Sequence, residues 1–198
     1  MANSTVSARG TAAILAGGKG QRLGGLSKGL LVVEGRRIVD RQLEALRAVF
    51  GRVFLVANDP GPWSDLGLAI VPDRVPGAGP LAGLDAALAG LAPDEDGVVC
   101  VAGDMPFLDP RALALLRDHP PAQAVVPRVG GRPEPLFARY ARSCAPNVAR
   151  ALAEGRRKTM ALLDELDVAY VEEPTLRAID PALRFLTNLN TPDDLVRA

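Results

Sequence analysis

The stretch AAILAGGKGQRLGGLSKGLL, residues 12–31, decides how the chain is interpreted. An apolar run typical of a strand leads into a cluster of glycines, and three basic residues, Lys19, Arg22 and Lys28, follow. Glycines allow backbone N–H groups to converge on an anion, and basic side chains add positive charge. The segment therefore suits the phosphates of a dinucleotide or a nucleoside triphosphate, although an ordinary glycine-rich turn has the same composition.

Two well-known phosphate-binding patterns do not match this segment. The dinucleotide pattern GxGxxG would begin at Gly18 and Gly20, but Leu23 stands where the third glycine is needed. The P-loop pattern GxxxxGK[ST] has no match in the loop. The missing glycine argues against a dinucleotide-dependent oxidoreductase, and tight NAD binding would be needed to support one.

The composition indicates a soluble globular protein of one domain. The chain has 198 residues, of which 48% are hydrophobic and 23% charged, and its 23 basic and 23 acidic side chains cancel. This balance predicts no nucleic-acid or membrane partner. We expect a flexible N-terminus over 1–10 and a single domain over 11–198. No targeting or membrane-spanning pattern is found, which predicts a cytoplasmic location. A single histidine excludes multi-histidine metal sites, and we expect both cysteines to be buried thiols.

Apolar runs alternate with amphipathic stretches along the chain. Because each apolar run lacks a polar face and is followed by a helical pattern, we predict an α/β fold. Its sheet is mostly parallel, Rossmann-like and doubly wound, with helices on both faces. The segment 130–143 is interpreted as turns with aromatic residues. Strands are predicted over 11–18, 52–59, 68–73, 97–104, 124–129 and 168–173, and helices within 36–51, 79–93 and 109–120.

Carboxylates end two of the predicted strands. Asp73 ends the third strand and Asp104 the fourth. Ligands of open parallel sheets bind outside the carboxyl ends of the strands. Mg²⁺ prefers one or two carboxylates together with substrate phosphates. An aspartate at a strand end is often only a cap, but a basic glycine-rich loop on the same edge favours a metal-assisted phosphate site.

Four motifs occur along the chain, namely LAGGKGQRLGGLSKGLL (15–31), GPLAG (79–83), GDMPF (103–107) and NLNTPDDL (188–195). Together they resemble the molybdenum cofactor guanylyltransferases, a family within the nucleotidyltransferase superfamily. They cover nearly the whole chain in the expected order. The first motif marks the superfamily, and the other three narrow the resemblance to the family. Ser27 departs from it, because aspartate is frequent at that position.

The resemblance implies that the chain transfers GMP from GTP to the terminal phosphate of molybdenum-loaded molybdopterin and releases pyrophosphate. It implies Mg²⁺ as cofactor and GTP and molybdopterin as substrates. It also implies transient contact with the protein that delivers molybdopterin and with apo-molybdoenzymes. Lys28, Arg22 and Asp104 would be catalytic, and Asp104 would hold Mg²⁺. Arg22, Asn188 and Asn190 would contact the pterin. The nucleotide would contact Leu15, Ala16, Gly17, Gly18, Lys28, Asn58, Asp73, Gly79, Gly83 and Asp104.

Other interpretations of the same residues stay open. A cytidylyltransferase acting on the same pterin, or another nucleotidyltransferase of this fold, would keep the chemistry and change a substrate. A catalytically inactive nucleotide-binding regulatory protein is a third possibility, but it would be expected to lack Lys28 or Asp104, and both are present. The basic run Arg156, Arg157 and Lys158 suits either an anionic substrate or a solvated helix start.

Overall fold

The computed structural model describes residues 10–17 and 27–189. Ten strands and six α-helices are assigned within these ranges. The strands are β1 Thr11–Leu15, β2 Val32–Val33, β3 Arg36–Arg37, β4 Arg52–Val56, β5 Ile70–Val71, β6 Gly97–Ala102, β7 Ala124–Val129, β8 Arg132–Pro133, β9 Phe137–Ala141 and β10 Val168–Glu172. The helices are α1 Ile38–Arg47, α2 Pro80–Ala89, α3 Pro110–Asp118, α4 Ala145–Ala153, α5 Met160–Leu163 and α6 Glu173–Ile179.

Eight strands form one sheet, with the order β10-β7-β9-β6-β1-β4-β5 and β8 paired to β7. Strand β1 lies between β4 and β6 and is parallel to both. The pairs β4–β5 and β7–β10 are also parallel, whereas β9 is antiparallel to both of its neighbours. The predicted mostly parallel sheet is therefore confirmed.

Each face of the sheet carries its own hydrophobic core. Along β1, Ala12 and Ile14 belong to one core and Ala13 belongs to the other. This division follows from the alternation of side chains along a strand. The first core is covered by α1, α3 and α6, and the second by α2, α4 and α5. Helices on both faces are what the sequence predicts for a doubly wound fold.

Helix α3 begins as its sequence predicts. Asp109 is the N-cap residue, and its side chain accepts a hydrogen bond from Arg111 N at 2.7 Å. Pro110 occupies the first helical turn, where its missing N–H costs nothing.

The two cysteines, Cys100 and Cys144, are buried free thiols, also as predicted, and burial raises the pKa of both.

The segment 130–143 corrects the prediction, since it contains strands β8 and β9. Residues Phe137, Ala138 and Tyr140 are buried. Because both faces of β9 are covered, its sequence lacks the polar–apolar alternation that marks a strand. Arg139 is accommodated within the strand because its guanidinium donates to the carbonyl oxygens of residues 117, 119 and 120.

The predicted third strand, 68–73, is shorter than expected and spans only Ile70–Val71.

The order of the parallel strands creates a crevice at one edge of the sheet. From β1 the chain moves outward to β4 and β5, and α2 then returns it to β6 on the other side of β1. Leu15, which ends β1, is level with Val56 of β4 and Ala102 of β6. The residues that follow these three strands therefore meet at a topological switch point.

Within the described ranges, no helix is long and apolar enough to cross a membrane.

Candidate active site

The backbone after β1 forms the centre of the crevice. Ala16 N donates to Val56 O at 3.0 Å, and Gly103 N donates to Leu15 O at 3.0 Å. A Cβ atom on Gly103 would lie 3.2 Å from Ala16 Cα, so the turn after β6 packs directly against this segment. The chain from Leu15 to Gly17, which the resemblance assigns to the nucleotide, is thus fixed from both sides. Gly18, Lys19 and Arg22 lie outside the described residues.

Lys28 and Asp104 meet at this edge although 76 positions separate them in the sequence. Lys28 Nζ lies 2.9 Å from Asp104 Oδ2, and the two side chains are 30% and 19% exposed. Both groups can therefore be reached by a ligand while they hold each other in place. A positive charge and a carboxylate side by side suit a metal–triphosphate complex.

The position of Lys28 depends on the glycine that follows it. A Cβ atom on Gly29 would lie 3.1 Å from Trp63 Cη2 and 3.2 Å from Gly103 O. Gly29 is therefore enclosed between the indole of Trp63, which is buried, and the turn that presents Asp104. Sequence reasoning missed this role of Trp63, since nothing near it in the chain indicates its partner.

Asp73 and Asn58 form an interlocked pair next to Gly17. Asn58 Nδ2 donates to Asp73 Oδ2 at 2.9 Å, and Asp73 N donates to Asn58 Oδ1 at 2.9 Å. A Cβ atom on Gly17 would lie 3.5 Å from Asp73 Oδ2. The other oxygen, Asp73 Oδ1, is buried and has no hydrogen-bond partner among the described residues. Asn58 thus orients Asp73 through these two hydrogen bonds. The contact of Asn58 with the nucleotide stays a prediction.

The start of α2 closes another side of the crevice. Gly79 is its N-cap with a φ of 74°, and a Cβ atom there would lie 3.2 Å from Arg157 O. Leu81 N donates to the same carbonyl at 3.3 Å. Gly83 faces the side chain of Leu15, with 3.8 Å between the nearest Leu15 carbon and a Cβ built on Gly83. The GPLAG motif therefore packs against the segment that follows β1.

The basic run 156–158 is divided between two environments. Arg156 forms ion pairs with Glu154 and Glu165. The Arg156 and Arg150 guanidiniums lower the pKa of Glu165 to about 2. Arg157 and Lys158 are exposed, and the backbone of Arg157 lies beside Gly79. The first residue of the run thus has a structural role, and Arg157 borders the crevice.

The C-terminal motif approaches Asp104 through its backbone. Leu189 N donates to Asp104 O at 2.9 Å, and the side chain of Leu189 is buried with Val33, Ile38 and Phe107. Asn188, which precedes Leu189, is exposed next to this anchor. Asn190 lies outside the described ranges.

The donor set at the crevice fits a magnesium ion that takes most of its ligands from substrate and water. Asp104 offers a partly exposed carboxylate. No group of three or more candidate ligand side chains exists in the part of the chain that the structure describes. Mg²⁺ commonly uses only one or two carboxylates besides substrate phosphates, so one carboxylate is compatible with such a site.

A separate cavity of about 920 Å³ lies at the opposite, amino-terminal edge of the sheet. It is bordered by Gly10, Arg52, Glu95 and Arg117, among others, and none of the predicted site residues lines it. Its cations are engaged, since Arg52 pairs with Glu95 and Arg117 pairs with Asp118. The geometry of strand ends and charges therefore places the candidate site at the carboxyl edge and not in this cavity.

Comparison with known proteins shows the family of this chain. A family model, the MobA-like NTP transferase domain, matches residues 12–169. A probable molybdenum cofactor guanylyltransferase of Pelotomaculum thermopropionicum is 36% identical over 95% of this chain and 91% of the relative. A molybdenum cofactor guanylyltransferase of Desulfosudis oleivorans is 32% identical over 95% of this chain and 93% of the relative.

A solved structure has the same fold over nearly the whole chain. Molybdopterin-guanine dinucleotide biosynthesis protein A of Archaeoglobus fulgidus superposes with a TM-score of 0.80 at 33% identity, covering 94% of this chain and 95% of that one. The resemblance found in the four sequence motifs is confirmed by these comparisons. The chain belongs to the MobA-like NTP transferase family.

Proposed function

We propose that this protein transfers GMP from GTP to the terminal phosphate of molybdenum-loaded molybdopterin, forming molybdopterin guanine dinucleotide and pyrophosphate. The relatives named as molybdenum cofactor guanylyltransferases support this choice of substrates. The observation that carries the proposal is the Lys28–Asp104 pair, held at 2.9 Å beside the backbone that follows the central strand. Cation, carboxylate and exposed backbone occupy the edge at which parallel sheets bind nucleotides.

The reaction needs little proton transfer. The acceptor is a phosphate monoester, whose second pKa of about 6 leaves it largely dianionic at neutral pH. One of its oxygens attacks the α-phosphorus of GTP, the bond from that phosphorus to the bridging oxygen breaks, and pyrophosphate leaves. Catalysis then depends on alignment of the attacking and leaving oxygens and on neutralisation of charge. The lack of a catalytic histidine is therefore compatible with this chemistry.

Each residue of the crevice has a task in this scheme. Lys28 would neutralise charge on the phosphates, and the backbone of Leu15, Ala16 and Gly17 would contact the nucleotide. Asp104 would hold Mg²⁺, which when bound supplies charge neutralisation at the phosphates. Asp73, oriented by Asn58, would accept a hydrogen bond from the nucleotide, since one of its oxygens is buried without a described partner.

The remaining assignments extend this proposal to the base, the pterin and other proteins. Gly79 and Gly83 would frame the base, and Gly18 would contact the nucleotide. Arg22, Asn188 and Asn190 would contact the pterin, and the anchoring of Leu189 on Asp104 supports this for Asn188. We propose a cytoplasmic enzyme that meets the molybdopterin-delivering protein and apo-molybdoenzymes transiently.

The decisive experiment measures pyrophosphate release by the purified protein with molybdenum-loaded molybdopterin, Mg²⁺ and either GTP or CTP. We expect turnover with GTP and not with CTP, and only when Mg²⁺ is present. Turnover with CTP instead would keep the chemistry and make the protein a cytidylyltransferase. Tight nucleotide binding without turnover would contradict the proposed acceptor.

Two variants test the residues that carry the chemistry. Asp104→Ala and Lys28→Ala should each lower kcat by roughly 10²–10³, the usual effect of removing one group that stabilises charge in a closed site. Asp94→Ala and Arg47→Ala serve as controls, because both side chains are exposed and lie away from the crevice. A rate within a few-fold of the wild type for Lys28→Ala would remove Lys28 from the catalytic machinery.

A further inference from the structure

The turn that presents Asp104 is held by groups from other parts of the chain. Gln42 Nε2 donates to Ala102 O at 2.7 Å and to Met105 O at 3.0 Å. Leu189 N binds Asp104 O, and Arg41 Nε donates to Pro106 O at 3.0 Å. Four carbonyl oxygens of the turn are thus engaged from outside, and Gln42 supplies two of these bonds.

Gln42 is an unusual residue for its surroundings. It lies on the buried face of α1, next to Leu43 and Leu46, and is 0% exposed. A buried amide costs free energy unless it is hydrogen-bonded, and an apolar residue would cover this helix face without that cost. Its Oε1 atom is buried and finds no partner in the described ranges. The amide therefore bears a desolvation penalty that only its two bonds to the turn offset.

The orientation of the amide is determined by its partners. Both atoms that face Gln42 Nε2 are carbonyl oxygens, which accept hydrogen bonds and cannot donate them. Rotating the amide by 180° would place Oε1 against these two oxygens and leave both contacts repulsive. The two donor hydrogens of one NH₂ group thus join Ala102 to Met105 across Asp104.

The turn depends on this bridge because its own closing bond is long. Met105 N donates to Ala102 O at 3.4 Å, outside the usual range for a strong N–H···O bond. We propose that Gln42 is a positioning residue, which fixes the direction of the Asp104 carboxylate toward Lys28 and the metal–triphosphate complex. This inference rests on the proposed function, to which it adds a residue outside the contact shell of the substrates.

The test replaces Gln42 by methionine, which has a similar length and no N–H donor. We expect Gln42→Met to raise the Mg²⁺ concentration for half-maximal GMP transfer by about 10–100-fold, as removal of groups that orient metal ligands does. The KM for GTP measured at saturating Mg²⁺ should change much less. Leu46→Ala is the matched control, since it removes buried contacts from the same helix one turn further on. It should lower the melting temperature and leave the Mg²⁺ requirement within about twofold.

A second measurement does not depend on turnover. In a crystal structure of substrate-free Gln42→Met protein, we expect the Lys28 Nζ–Asp104 Oδ2 distance to exceed about 4 Å, the limit for an ion pair. A variant that keeps both this pair and the wild-type Mg²⁺ requirement overturns the inference. If the wild-type protein does not transfer GMP, the proposed function fails, and the Lys28–Asp104 distance in the variant still decides the role of Gln42.

Discussion

We expect Gly29→Ala, which adds a single methyl group, to disturb the candidate site. The added methyl would lie 3.1 Å from Trp63 Cη2 and 3.2 Å from Gly103 O, whereas non-bonded carbon atoms are most favourable at about 3.5–4.0 Å. The new methyl and Trp63 Cη2 must therefore move apart by about 0.4 Å. The indole is buried and Gly103 O is backbone, so the turn that carries Lys28 must move instead.

Two quantities follow from this displacement. Inserting a methyl into a packed site costs about 1–3 kcal/mol, and each kcal/mol lowers the melting temperature of a protein of this size by about 2–4 °C. A misplacement of 1 Å can cost about 100-fold in rate, and if the logarithm of the loss scales with distance, 0.4 Å costs roughly sixfold. We expect a melting temperature lower by roughly 2–12 °C and a kcat lower by roughly sixfold.

The assay combines thermal unfolding with GMP transfer in a double-mutant cycle with Trp63→Phe. Phenylalanine lacks the ring atom that contacts the new methyl, so Gly29→Ala should cost less in the Trp63→Phe background, by at least about 0.5 kcal/mol. Part of the cost should remain, because Gly103 O is still 3.2 Å away. Wild-type stability and rate for Gly29→Ala, or an equal cost in both backgrounds, would refute the reasoning.

Three side chains give further expected outcomes for stability, each measured by urea unfolding. Asp109→Ala should cost about 1 kcal/mol at pH 7 through loss of the helix cap. Arg111 lowers the pKa of Asp109, so this cost should shrink as the pH falls through that lowered pKa, and a pH-independent cost would contradict it. Arg74→Met should cost about 2 kcal/mol, since it removes the 2.8 Å partner of the buried Asp85 carboxylate, and Asp85→Asn in the same background should recover part of it. Burial raises the pKa of Glu134, so Glu134→Gln should stabilise the protein at pH 7 and lose this advantage in acid, whereas an equal effect at both pH values would argue against it.

The edge that carries the candidate site was predictable from local sequence. Asp73 and Asp104 follow apolar runs, and the carboxyl ends of parallel strands share one edge of a sheet. Lys28 follows the glycine-rich loop at the end of the first strand, so its proximity to Asp104 was expected from the same rule. The 2.9 Å pair joins two residues that the sequence places on this shared edge.

The supporting contacts were not predictable. Trp63 and Gly29 are 34 positions apart, and Gln42 and Ala102 are 60 positions apart. Neither pairing has a sequence pattern, since each depends on how a helix or loop packs after the sheet has formed. Strand β9 was missed for a related reason, because burial on both faces removes the alternation on which strand prediction depends.

Strand β9 connects two groups of strands, and its loss would let parts of the sheet unfold separately. Within the described sheet, its ladders with β6 and β7 are what join the parallel group β5-β4-β1-β6 to the pair β7–β10. The approach is close enough that a Cβ atom on Gly97 would lie 2.7 Å from Tyr140 O. Release of this single strand divides the sheet into two groups of strands, so we expect the amide hydrogens of the two groups to exchange as separate cooperative units. The carboxyl edge that presents Lys28 and Asp104 follows strands of the first group, and it can thus outlast the loss of the second.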